Sequence, residues 1–70
     1  MKKLVIWLVF INNEPKGEVF KNNKRWIWFR PNGSKETYGP KSTIADVRDH
    51  IARLNNVWSN VVEFRKENVS

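Results

Sequence analysis

Lys24-Arg25-Trp26-Ile27-Trp28-Phe29-Arg30 sets four large hydrophobic side chains between cations, and the turn Pro31-Asn32-Gly33 follows directly. The stretch reads as a strand. Its alternation sends Trp26, Trp28 and Arg30 to one face of a sheet, and Arg25, Ile27 and Phe29 to the other. Both faces carry large apolar groups, so the fold is decided by what covers each.

Working backwards, Glu18-Val19-Phe20-Lys21 reads as the preceding strand. Asn22-Asn23 is then a two-residue hairpin loop, because Asn tolerates the positive φ such turns require. That register sets Val19 opposite Trp26, Phe20 opposite Arg25 and Lys21 opposite Lys24. Asn12 to Gly17 is a turn punctuated by Pro15 and Gly17. Before it, Leu4 to Ile11 is an unbroken apolar run, mostly β-branched or aromatic. Met-Lys-Lys ahead of it resembles a signal-peptide start, but no small-residue cleavage site follows. The run is also too short to span a bilayer as a helix, so no membrane span is expected. It fits a strand buried on both sides, central in the sheet.

Working forwards, Ser34 to Tyr38 is a short fourth strand that Gly39-Pro40 ends. A helix begins after Lys41, with Ser42 or Thr43 as N-cap; Thr43 and Asp46 form a capping-box variant. Ile44, Val47, Ile51 and Leu54 make a narrow apolar stripe, with Asp49 and Arg53 outside at i, i+4. Asn55-Asn56 ends the helix. Val57 to Arg65 is a last strand, with Trp58, Val62 and Phe64 on one side, and residues 66–70 fray. The expected fold is α+β: a single small domain over residues 1–70, an antiparallel sheet of four to five strands with one helix packed on one face, in the order ββββαβ. One helix covers one face. On this register the other keeps large hydrophobics, with Trp26 and Trp28 beside cations.

Seventy residues lie near the lower limit for a self-sufficient core, and four Trp and four Phe compensate for that. Cysteine is absent, which excludes disulfides and thiolate metal sites and fits a reducing, cytoplasmic setting. The net charge of +6 sits in the middle of the chain. Residues 16–41 carry seven cations against two anions, while residues 42–70 balance at four each. Such a field attracts nucleic acid, acidic protein surfaces or anionic lipid; it also serves solubility alone.

Nothing in the sequence assembles a catalytic centre, and no cofactor is expected. His50, the single histidine, follows Asp46 at i+4 but has no second His or Cys to complete a metal site, and reads as a solvent-facing helix residue. Pro31-Asn32-Gly33 is too short for a phosphate-cradling loop. The basic-aromatic hairpin is the one feature with a functional reading. Single strands of nucleic acid are held by cationic grooves with exposed rings on which bases stack. Lys21, Lys24, Trp26, Trp28, Arg30 and Lys35 form that candidate set, with Tyr38 beside them. The competing reading makes both tryptophans core.

Arg25-Trp-Ile-Trp-Phe-Arg30, Asn32-Gly33, Tyr38 and Lys41 ahead of a helix resemble the YegP-like small domains over about residues 18 to 54. The segment between Gly33 and Tyr38 is shorter than in that family, and the long apolar first strand departs from it. The resemblance implies an α+β fold with a helix on an antiparallel sheet, and implies no activity. Two functions follow as expectations. One is a non-catalytic module binding nucleic acid, single strands favoured, through the basic-aromatic face. The other is a small protein-interaction module, such as a phage-type inhibitor or adaptor of a host protein machine, docking on an acidic protein surface or through an apolar patch. A homodimer that buries the second sheet face is compatible with both.

Overall fold

The computed structural model describes residues 4–69, with side chains over residues 5–67. Four strands run as a meander: β1 Leu4–Ile11, β2 Glu14–Asn22, β3 Arg25–Phe29 and β4 Lys35–Thr37. The helix α1, Ile44–Leu54, follows, and a 3-10 turn at Ser59–Val61 leads into β5, Val62–Val69. All five strands form one antiparallel sheet in the order β4-β3-β2-β1-β5. This is the expected α+β class and element order. β1 has a neighbour on each side, as its unbroken apolar run requires, and α1 lies against β3 and β5.

Local chemistry explains the turns and corrects their placement. The first turn is only Asn12-Asn13, both at positive φ (52° and 65°), so β2 starts earlier than the sequence suggests. Pro15 lies beyond the part of β2 that β3 pairs, where its missing N–H breaks no ladder on that side. The extra residue appears as a register shift opposite Leu8 and Phe10, with Gly17 at φ 98° beside it. The second hairpin turns at Asn23-Lys24, φ 52° and 65°, rather than at Asn22-Asn23. Val19 therefore pairs with Trp28, Phe20 with Ile27 and Lys21 with Trp26. A slip of two residues preserves parity, so each side chain keeps its expected face. It brings Trp28 to mid-sheet between Val19 and Glu36.

The helix is capped as its sequence indicates. Thr43 Oγ1 accepts from Asp46 N at 3.3 Å, and Asp46 Oδ2 accepts from Thr43 N at 2.9 Å. At the other end, Val57 N donates to Ala52 O and Asn56 N to Arg53 O, with Asn56 at φ 59°. That pair of bonds is a Schellman motif with Asn in the left-handed position. The buried helix residues are Val47, Ile51 and Ala52, while Leu54, expected in the stripe, is 53% exposed. The reversal at Asn56 brings Val57 back towards Ala52, and that side of the helix is covered instead.

The reversal also overturns the expected last strand. Residues 57–61 are irregular or 3-10, and Trp58 is 82% exposed rather than sheet-facing. Lys66 to Val69, expected to fray, continue β5 because Leu4 to Trp7 offer them a full partner edge. Ser70 lies outside the described residues.

The core lies between α1 and one sheet face: Val9, Ile11, Val19, Trp28, Val47, Ile51, Ala52 and Val62, with Trp7, Trp26, Tyr38 and Phe64 packed around them. The helix thus covers the tryptophan face. The expectation that this face stays open is wrong, and β5 shows why. Val62 and Phe64 point to the side of Val9 and Ile11, whereas Glu63, Arg65 and Glu67 point to the other. Only the tryptophan side is apolar on every strand that a helix must cross.

Candidate functional site

Pairing register settles where each candidate residue stands. Trp28 is 4% exposed, and its Nε1 donates to the Lys16 carbonyl at 2.9 Å. A buried indole needs such a partner, and the irregular pairing of β2 near Lys16 leaves that carbonyl available. No base can stack on this ring. The Arg30 guanidinium lies 4.8 Å from the Trp28 centroid and bonds Glu36 Oε1 at 2.8 Å, so its charge is engaged within the fold. Lys24 sits in the hairpin turn. Lys35 pairs with Phe29 and therefore lies on the opposite face. The structure brings Lys21 and Trp26 together, with Nζ 5.5 Å from the ring centroid, and leaves Trp26 half-buried.

A second such pair was not singled out from the sequence. Lys66 Nζ lies 5.8 Å from the Trp7 ring, and the register makes Trp7 and Lys66 direct partners on β1 and β5. Arg48 extends the group from the helix, with its guanidinium 5.1 Å from the Phe64 ring. Half-buried rings, each with a cation alongside, therefore mark the helix side of the sheet. A strand that starts at Val62 was the missing signal, because it alone puts Lys66 beside Trp7.

Tyr38 and His50 are also brought together. The Tyr38 hydroxyl is 2.8 Å from His50 Nδ1, and the His50 ring meets Trp28 and Tyr38 edge-on. His50 is half-buried and turned to the sheet rather than facing solvent, because the Trp28 and Tyr38 rings lie against it. Burial, reinforced by the Glu36 carboxylate, pushes the Tyr38 phenol up to about 12, partly offset by Arg30. Asp46 serves the helix cap rather than His50. Among the described residues, no three of His, Cys, Asp or Glu gather as a metal site, and no helix is long and apolar enough to cross a membrane.

Among the described residues, no element covers the other sheet face. Ile6, Leu8 and Phe10 of β1, Phe20 of β2, and Ile27 and Phe29 of β3 share it. Its outer part is visibly wet, with Phe29 41% exposed, while Ile27 is only 8% exposed among its strand neighbours. Arg65 lies across Phe10, 4.0 Å from the ring centroid, and bonds Glu63 at 3.0 Å; that bond holds the Glu63 carboxyl below its ordinary range. The charges here are three cations, Arg25, Lys35 and Arg65, and three anions, Glu18, Glu63 and Glu67. The positive excess among described residues therefore lies elsewhere, on the helix side and in the turns.

A further exposed aromatic, Trp58, borders an open cavity of about 600 Å³ with Arg53, Val57 and Val61. By sequence alone Trp58 falls in the last strand; the Ser59-Asn60 pair behind it is the local sign of the turn. No protein-family model, curated protein or solved structure matches this chain.

Proposed function

We propose that this protein is a non-catalytic interaction module, acting in the cytoplasm, that docks a protein surface onto the uncovered face of its sheet. The observation that carries this is the contiguous apolar patch from Ile6 across to Phe29, on a face that no element among the described residues covers. Apolar patches of this kind mark interaction sites or aggregation hazards. A partner that covers the patch removes the hazard and supplies the burial a small domain lacks. The test is affinity capture, after nuclease treatment, with the wild-type chain and with Phe20→Lys. The expected result is a protein, this chain included, retained by the first and lost by the second. Equal retention by both overturns the proposal.

A second reading has support of its own: Lys21 beside Trp26 and Lys66 beside Trp7, on the side that holds the charge excess. It makes this side a site for single-stranded nucleic acid. Tryptophan quenching by single-stranded oligonucleotides tests it. The expected titration saturates, weakens steeply with salt, and is reduced in Lys21→Ala/Lys66→Ala. No quenching at low salt refutes this reading. Trp28→Ala is not a test of it, because removing a buried indole costs about 3–5 kcal/mol of folding stability.

A further inference from the structure

We propose that the occupant of the uncovered face is a second copy of this chain, packed face to face with its two-fold axis running roughly along the strands, between β1 and β2. This rests on the reading of that face as a protein-docking surface.

Two copies of a chain with net charge +6 repel each other unless the surfaces that meet are locally balanced. Among the described residues the uncovered face is balanced, three cations against three anions, whereas the remainder is basic. An acidic partner would be better served by the other side.

The layout of these charges then selects the symmetry. Arg25 and Lys35 stand on β3 and β4, at one edge of the sheet. Glu63, Arg65 and Glu67 stand on β5, at the opposite edge, with Arg65 paired to Glu63 and Glu67 left unpaired. The central strands carry Ile6, Leu8, Phe10 and Phe20. Rotation about an axis along the strands lays β3 of one copy over β5 of the other, with β4 just beyond that edge. Arg25 then comes within reach of the partner's Glu67, one residue pair along the strands. Rotation about an axis across the strands would set each edge on its own counterpart, cations on cations. Among the described residues, Arg25, Lys35, Glu18 and Glu67 make no ion pair within the chain, so they are available across the interface. The same rotation lays β1 on β2, apolar on apolar, at the roughly 30° offset and about 10 Å separation usual for packed sheets.

The face is large enough. Five strands at about 4.8 Å spacing, with paired lengths near 20 Å, project to roughly 500 Å². Side-chain relief raises the accessible area towards the roughly 800 Å² per partner of a standard interface.

The experiment is sedimentation of the full chain over a range of concentration, with the variants Leu8→Glu, Arg25→Glu, Glu67→Arg and the charge-swapped double variant, each checked by circular dichroism. The expected wild type is a reversible dimer, and Leu8→Glu is monomeric. Each single charge reversal weakens the dimer by about tenfold or more, and the double variant recovers most of that loss. A wild type that is monomeric throughout overturns the second-copy proposal. If it then still captures a protein that Leu8→Glu does not, the docking reading itself stands. A dimer unaffected by Leu8→Glu overturns both. A dimer lost in Leu8→Glu but without recovery in the double variant overturns the strand-parallel axis. If Leu8→Glu does not fold, the charge-reversal cycle alone decides between these outcomes.

Discussion

Lys24 holds the second central position of the β2–β3 turn at φ 65°, where a side chain with a Cβ is disfavoured and Gly is at ease. Lys24→Gly creates the Asn-Gly pair that such turns prefer. It is expected to stabilise the fold by about 0.5–1 kcal/mol, read as a higher urea midpoint at unchanged slope. Gly17 presents the opposite case. It sits at φ 98°, and a Cβ there would stand 2.1 Å from the Phe29 carbonyl oxygen. That oxygen belongs to the neighbouring strand and has no room to retreat. Gly17→Ala is therefore expected to cost at least about 2 kcal/mol and to lower the thermal midpoint sharply. The need for a turn was legible from Asn and Gly at both places. Which of two adjacent pairs turns was not, because the choice rests on long-range pairing of Trp28 with Val19 rather than on the turn residues.

At the scale of elements, the contact between the β4 end and α1 has a titratable reporter. Tyr38 is the only tyrosine in the chain, so its ionisation can be followed by near-ultraviolet absorbance without assignment. Its phenol, raised from 10.0 to about 12, stays protonated in the folded protein while the unfolded chain ionises. Stability from this contact is fully present below the unfolded value of 10.0, and is lost as pH rises towards about 12. The expected titration midpoint in the native protein is near 12, and a midpoint near 10 would show that the Tyr38 phenol is not buried at the β4 end. The helix itself was readable in detail, since Thr43 with Asp46 fixes its start and Asn55-Asn56 its end. Its docking was not. Parity along β2 and β3 separated the two faces correctly, but both looked apolar there. The choice between them rests on Val62 and Phe64 of β5, a strand whose start is hidden by the irregular turn around Trp58.

For the whole molecule, the strand order makes β1 the best protected element. It is paired with β5 over all eight of its residues and with β2 over most of them, while β4 is a three-residue edge. Hydrogen exchange is expected to be slowest at the β1 amides and fastest in β4, with protection of β1 approaching the global unfolding free energy. Comparable rates in the two would mean that the sheet does not open from its β4 edge. The same order has a consequence in time. β1 is made about fifty residues before the strand that completes it, since Ile11 pairs with Val62. At roughly 5–20 residues per second, its apolar edge waits about 3–10 s for β5 on the ribosome. Through that interval Leu4 to Ile11 is an uncharged strand with one edge unpaired in a half-built sheet, the kind of segment that holdase chaperones bind. The chain's most stable strand in the finished fold is thus its most vulnerable one during synthesis.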